Sequence, residues 1–397
     1  MKWPTVKLKS VTSKVGSGAT PRGGEAVYKD AGVPLIRSMN VHFDGFRRDG
    51  LVYIDEEEAS LLNHVKIQSN DVLFNITGAS IGRVTTAPAD MAGARVNQHV
   101  CILRPTDKLM PEFLSYYMRS PDQQVLVGNN QIGGTRQAVT KGMLLNWEIY
   151  LPPLAEQGRI VQLLNEAGEL QKLRAQADRR TGDLIPALFC EMFGENTKKP
   201  HVRVKLEQIA EVVSGVAKGR KFNGRLPVEV PYLRVANVQA GHLDLSEIKT
   251  IQALPEEVEE LALRKGDVLL TEGGDFDKLG RGAMLEQDLP NCIHQNHVFR
   301  VRVERLKLDP VYFAKFLLIG EARRYFLGCA KRTTNLASIN MTQLRALPVL
   351  LPPLTLQKEF AARVSDIRAM QAEQVASRRR LDDLFKSMLH RAFQGEL

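Results

Sequence analysis

The sequence predicts an α+β chain made as a tandem repeat: two mixed α/β blocks, each followed by a long helix, with the two helices pairing as a coiled coil. Three observations predict it. The heptapeptides LPPLAEQ (151–157) and LPPLTLQ (351–357) nearly coincide, and their neighbours repeat with them. Each block before an LPPL motif alternates short runs of Val, Leu and Ile with turns rich in Gly, Asn and Asp. Each segment after it is nearly free of turn signals.

The repeat extends well beyond the heptapeptide. VPLIRSMNV (33–41) matches VPYLRVANV (230–238), with Val, Pro, Arg, Asn and Val kept in place. NDVLFNITGASIGR (70–83) matches GDVLLTEGGDFDKLGR (266–281), with two residues inserted in the second copy. NQHVCILRP (97–105) resembles QNHVFRVRV (295–303), and VKL recurs at 6–8 and 204–206. Small insertions between fixed landmarks are the mark of two diverged copies of one domain. The blocks are therefore 1–150, 151–194, 195–350 and 351–397.

In the first block, the stretches GSGATPRGG and ITGASIG read as loops between strands. PEFLSYYMRSP (111–121) reads as a helix opened by proline, as does PVYFAKFLLIGEARRYFL (310–327) in the second copy. After each LPP stop a long helix follows. Ile160, Leu164, Ala167, Ile185 and Leu188 fall on one 4-3 spaced seam, and Phe360, Val364, Ile367, Leu381, Phe385 and Met388 fall on the matching one. Both seams turn polar midway, at Gln171, Arg174 and Asp178 and at Gln371, Gln374 and Arg378. In the first helix the apolar stripe can drift there to Leu170, Leu173 and Ala177. A helix of about 38 residues spans about 57 Å, too long to fold back on its own domain, so its apolar face is expected to bury against the other helix. Pro186 should bend or end the first helix locally. The polar segment 194–201 then serves as a linker.

A chain of 397 residues exceeds one compact core. No window of about 18 apolar residues offers a membrane span, and the N-terminus lacks the apolar core of a secretory signal. Cys101, Cys190, Cys292 and Cys329 form no CxxC pair, which suits free thiols in a reducing cytoplasm. The net charge is +9. Residues 1–150 hold 17 Lys and Arg against 14 Asp and Glu, and 195–354 hold 24 against 19, so the surplus sits in the large blocks. That suits a nucleic-acid partner without demanding one.

With its LPPL-led helices repeated after two loop-rich blocks, the whole chain resembles the specificity subunit of type I restriction–modification systems. The resemblance implies that residues 1–150 and 195–350 are target recognition domains, each reading half of a bipartite, asymmetric site in double-stranded DNA. It implies that the helices 151–194 and 351–397 pair antiparallel in a pseudo-twofold internal repeat, set the distance between half-sites and dock two modification (adenine methyltransferase) subunits. Two restriction (helicase-nuclease) subunits complete such an enzyme. S-adenosylmethionine, ATP and Mg are then expected on those partners, with no cofactor on this chain and no catalytic residue in it. The chain carries no [DN]-P-P-[YFW] tetrapeptide, no Gly-rich S-adenosylmethionine loop and no GxxxxGK[ST] phosphate loop. A two-domain scaffold acting through its coiled coil, or an orphan subunit of a related defence system, is the alternative reading.

DNA contacts need long polar side chains on loops that can enter a groove. In the first copy the candidates are Thr20 and Arg22 on GSGATPRGG, then Thr77, Ser80 and Arg83 on TGASIGR. The stretch NNQIGGTRQ adds Asn129, Asn130, Gln131, Thr135, Arg136 and Gln137. In the second copy, SGVAKGRKFNGR offers Lys218, Arg220, Lys221 and Arg225, and GGDFDKLGR offers Asp275, Lys278 and Arg281. AKRTTN adds Lys331, Arg332, Thr333, Thr334 and Asn335. Any one of these also suits an ordinary solvated turn. Arg37 with Asn40, and Arg234 with Asn237, recur and could hold the fold or touch DNA. His99 and His297 share a repeat position, which points to a common structural role. Cys292, His294 and His297 lie close in sequence, but the first copy keeps only His99, so no metal site is expected.

Overall fold

The computed structural model describes residues 3–129, 138–194, 201–274, 279–318, 320–332 and 337–396, with the side chains of Asn129, Lys331 and Arg332 outside that description. The chain divides into two compact units, 1–176 with 375–397 and 177–374. Each unit therefore takes part of both long helices.

The first unit centres on an antiparallel sheet in the order Thr12–Ser17, Val100–Pro105, Val72–Asn75, Val84–Thr86. The second has the same order in Ala210–Ser214, Val298–Val303, Val268–Thr271, Gly282–Met284. Each also has a three-stranded sheet with one parallel pairing, Val33–Ile36 on Arg95–Val96 and Val228–Leu233 on Ile293–His294. A short strand at the front of each unit, Thr5–Lys7 or Val202–Lys205, pairs with the strand that leads into LPPL. The repeated hydrophobic landmarks are thus repeated strands. The residue pairs Asp71–Arg104 (2.6 Å) and Asp267–Arg302 (2.8 Å) tie the central strands in both copies, each with its carboxylate buried. Gly18 and Gly215 also correspond: a Cβ at either would overlap a backbone carbonyl, that of Val96 or of His294. Only glycine lets the first loop lie so close to the strand.

The heptapeptide has a physical cause in its last residue. Gln157 is fully buried. Its Oε1 accepts the Met110 N–H at 2.8 Å, and its Nε2 donates to the carbonyls of Lys108 (3.0 Å) and Pro152 (2.9 Å). Gln357 repeats this with the Asp309 N–H (2.8 Å) and the carbonyls of Lys307 (3.1 Å) and Pro352 (2.8 Å). Each glutamine pins the start of a long helix to the loop before the block's first post-sheet helix.

The long helices are Leu154–Gly182, continued by Leu184–Phe193, and Leu354–Gln394. The break at Asp183 puts Pro186 in the first turn of the short helix, where its missing N–H would have no intrahelical partner. In the first unit, Ile160, Val161 and Leu164 are buried in a core with Phe74, Phe113 and Trp147. That core also holds Phe385, Leu389, Ala392 and Phe393 from the end of the other helix. In the second unit, Phe360 and Val364 share a core with Tyr312, Phe313, Phe189 and Phe193. The start of one helix lies against the end of the other in each unit, so the pairing is antiparallel. Rings mark the equivalence: Phe393 meets Phe113 and Tyr117 at 5.3 and 5.1 Å, and Phe193 meets Tyr312 at 4.9 Å.

Three expectations are corrected. The long helices do not bury their apolar faces on each other alone, because their first turns pack into their own block's core. The stripe does not drift to Leu170 and Leu173, which are 54% and 58% exposed. Polar pairing holds the rotation instead: Gln171 donates to Asp382 (2.8 Å), and Thr181 donates to Gln374 (2.7 Å). Residues 310–327 are not one helix but two, Pro310–Phe316 and Gly320–Cys329. On one straight helix Phe326 would point about 140° away from Phe313 at about 100° per residue. The break lets both rings reach the core.

Among the seam residues, Ile160, Leu164, Phe360, Val364 and Phe385 are buried. Ala167, Ile185, Leu188 and Met388 pack at the core's rim, while Ile367 and Leu381 are half-buried outside the core clusters.

Candidate nucleic-acid interface

The recurring Arg and Asn pairs hold loops of the fold in both copies. Asn40 is buried; its Oδ1 accepts the Arg37 N–H (2.9 Å), and its Nδ2 donates to the carbonyls of Arg47 (3.0 Å) and Asp49 (3.3 Å). Asn237 does the same with the Arg234 N–H (2.9 Å) and the carbonyls of Asp244 (2.8 Å) and Glu247 (2.9 Å). A buried amide satisfied on both sides is a loop clamp. The Arg37 guanidinium donates to the Gly50 carbonyl (2.7 Å), and Arg234 pairs with Glu247 (2.9 Å).

Three sequence candidates of the first unit, Thr77, Ser80 and Arg83, come together around one cavity of about 410 Å³, which Gly78, Met39 and His99 also help to line. The strand Val72–Asn75 delivers this loop, and Gly78 turns it with φ 76°. Thr20 Oγ1 donates to Gln98 Oε1, Gln98 Nε2 meets His99 Nε2 at 2.9 Å, and His99 Nδ1 meets Thr77 Oγ1 at 2.5 Å. Asn75 Nδ2 donates to Ser80 Oγ (3.1 Å) and to the Ser38 carbonyl (2.9 Å). Arg83 Nη1 reaches His42 Nδ1 at 3.5 Å, and His42 Nε2 donates to the Met39 carbonyl (2.9 Å). Arg22 stays exposed on its loop.

The second unit keeps the scaffold and changes the side chains. Arg281 donates to Gln239 Oε1 (3.1 Å), where Gln239 stands in the place of His42. His297 Nδ1 faces Glu272 Oε2 at 2.6 Å, so the repeated histidine has exchanged a hydroxyl for a carboxylate. Lys218 and Lys221 are exposed. Arg220 is held by both carboxylate oxygens of Glu257 and lies 5.2 Å from the Phe222 ring centre. The Arg220 bond keeps the Glu257 carboxyl below its ordinary value. Arg225 pairs with Glu256. Neutralised arginines of this kind offer less to phosphate than the two lysines do.

Asn130, Gln131, Thr135, Arg136, Gln137, Asp275, Lys278, Thr333, Thr334 and Asn335 lie outside the described residues. Among the described residues, no three His, Cys, Asp or Glu side chains stand together as a metal site. Cys292 and His294 belong to the core: burial pushes the thiol up to about 12 and the imidazole down to about 4. Sequence reasoning missed His42, Gln98 and the role of His99 because their partners are remote in the chain. The one signal was the shared position of His99 and His297.

Comparison with known proteins gives these features a context. The family model for the type I restriction modification DNA specificity domain matches residues 1–177 and again 199–376. The EcoKI specificity subunit of a type I restriction enzyme from Escherichia coli K12 is 24% identical over 435 residues, covering all of this chain and 89% of that protein. The StySPI specificity subunit from Salmonella potsdam is 22% identical over 432 residues, with the same coverage. A solved chain from a study of assembly and conformational transition in a type I R-M system has a TM-score of 0.69 at 20% identity, over 100% of this chain and 98% of that one. The HsdS subunit from Thermoanaerobacter tengcongensis has a TM-score of 0.54 at 20% identity, over 100% and 97%. Two matched copies of the domain span most of the sequence, so the chain belongs to the type I restriction modification DNA specificity family.

Proposed function

We propose that this chain is the DNA-specificity subunit of a type I restriction–modification complex and reads a bipartite, asymmetric site in double-stranded DNA. Residues 1–150 and 195–350 act as the two target recognition domains. The helices 151–194 and 351–397 set the spacing of the half-sites and dock two modification and two restriction subunits. Methylation and cleavage belong to those partners, with their S-adenosylmethionine, ATP and Mg, and the target adenine leaves the stack for a pocket outside this chain. The complex works in the cytoplasm.

One observation carries the reading: a duplicated scaffold that keeps its sheets and clamps but changes the side chains on its loops. Two related frames with unlike reading edges suit two unlike half-sites. Methylome sequencing of the host tests it. A methylated motif in two unlike halves with a fixed gap, lost when this gene is deleted, is the expected result. DNA affinity of the assembled complex should also fall steeply with salt, since phosphate contacts release counterions. Assembly with a methyltransferase subunit without DNA binding would favour the scaffold reading.

A further inference from the structure

We propose that the Thr77, Ser80 and Arg83 cavity of the first unit reads the major-groove edge of a guanine, and that Glu272 in the second unit accepts a hydrogen bond from a base amine instead. The proposal rests on the reading of the chain as a DNA-specificity subunit.

The Gln98 amide N–H points at His99 Nε2, which must accept, so the ring's proton sits on Nδ1 and is donated to Thr77 Oγ1. The Thr77 hydroxyl then has its own proton left for the cavity. Ser80 Oγ accepts from Asn75 Nδ2 and is left in the same state. His42 gives its Nε2–H to the Met39 carbonyl and so can only accept at Nδ1, which faces one Arg83 nitrogen. Among the described residues the other guanidinium donors remain for a ligand. Thr77, Ser80 and Arg83 thus present donors. A ligand with adjacent acceptors fits, and between the DNA backbone and the major-groove base edges the candidates are a phosphodiester and the O6/N7 edge of guanine.

The second unit decides between them. The phosphate backbone is the same at both half-sites, whereas the bases differ. A phosphate site would need free donors in both copies, and Arg281, the counterpart of Arg83, is tied to Gln239 Oε1 at 3.1 Å. Here the repeated histidine turns to Glu272, which stands in the backbone register of Ile76: Glu272 N–H bonds to the His297 carbonyl as Ile76 N–H does to that of His99, both at 3.0 Å. Among the described residues Glu272 is engaged through Oε2 alone, by His297, and its side chain is 34% exposed. A carboxylate there repels phosphate and accepts from adenine N6 or cytosine N4. The change from a hydroxyl donor to a carboxylate acceptor beside the repeated histidine is what base reading requires. His99 and His42 are positioning residues.

The test is methylation-site mapping with the complete complex in cells. Thr77→Val and Arg83→Gln should each relax discrimination roughly ten- to a hundredfold at one G·C pair, the same pair in the same half-site. Glu272→Gln should relax one position in the other half, and the pair found there, A·T or G·C, tells adenine from cytosine. His99→Phe should relax the Thr77 position alone, and His99→Asn, which keeps a donor near Nδ1, should restore it. If Arg83→Gln abolishes methylation altogether, Thr77→Val and Ser80→Ala, which remove a hydroxyl with little change in bulk, decide. Uniform weakening at every position would mean a phosphate contact and overturn the proposal, as would an unchanged motif or a relaxed A·T pair in the first half. Absence of any bipartite motif in the wild type would instead overturn the specificity-subunit reading itself.

Discussion

The two units share a framework and differ in what they place on it. Both hold the strand order, the buried Asp–Arg tie, the Asn loop clamp and the glutamine that pins the long helix. They part at the loop after the central strand, where one histidine meets Thr77 and the other Glu272. They part again inside, where Val96 of the first unit is replaced by the fully buried His294. The parts that stay fixed satisfy buried backbone groups, which any sequence must do at that place. The parts that vary face solvent or a cavity and are free to follow a ligand.

The largest effect should come from the exchanged helix ends. Phe393→Ala removes a buried ring from the first unit and should cost about 3–5 kcal/mol there. Phe193→Ala should cost a similar amount in the second. Hydrogen exchange on each variant reads which unit loses protection; Phe393→Ala acting on strands after residue 201 would break the comparison. The same equivalence predicts that a fragment ending at Gly194 dimerises, its Phe189 and Phe193 filling the place left by Phe385 and Phe393. Light scattering reporting a stable monomer would refute that.

Next come the glutamines. Gln157→Leu leaves one buried N–H and two carbonyls without this partner and should cost about 3 kcal/mol. Gln357→Leu should cost nearly the same, and a large inequality in denaturant unfolding would show that the two pins are not equivalent.

His294 should separate the units by pH. Burial chiefly pushes its folded value down to about 4, against 6.5 for a free imidazole. A depressed histidine is neutral in both states above pH 6.5. Below that the unfolded chain takes up a proton that the folded one refuses, so stability falls as pH drops and levels off near 4. The loss amounts to at most about 3 kcal/mol. His294→Val, which installs the first unit's residue, should flatten this slope between pH 6.5 and 4.5; an unchanged slope would assign it to carboxylates.

The smallest effects belong to the half-buried middle of the seam. Ile367→Ala and Leu381→Ala should each cost about 1 kcal/mol or less, well below Leu164→Ala at about 2–5 kcal/mol. Equal costs in thermal unfolding would mean that the helices hold each other along their whole length.

The duplication, the strands and the long helices were legible in the sequence because they rest on local patterns: period-two runs, turn residues, a 4-3 seam and landmarks repeated in order. The reach of the seam was legible only in part. It named Ile185 and Leu188 where the deepest residues are Phe189 and Phe193, since the break at Asp183 rotates the short helix and periodicity assumes a straight one. Thr77, Ser80 and Arg83 could be named as candidates, but their common cavity and the histidines that orient them could not, because His42 and His99 come from other strands and loops. The sequence by itself determined that there are two copies and which residues each must keep. Only the tertiary structure decided that each core is completed by the end of the other copy's helix, and that Leu170 and Leu173 face outward. Those outcomes depend on contacts between residues some 200 positions apart, such as Gln171 with Asp382, whose hydrogen bond fixes a rotation that no local pattern encodes.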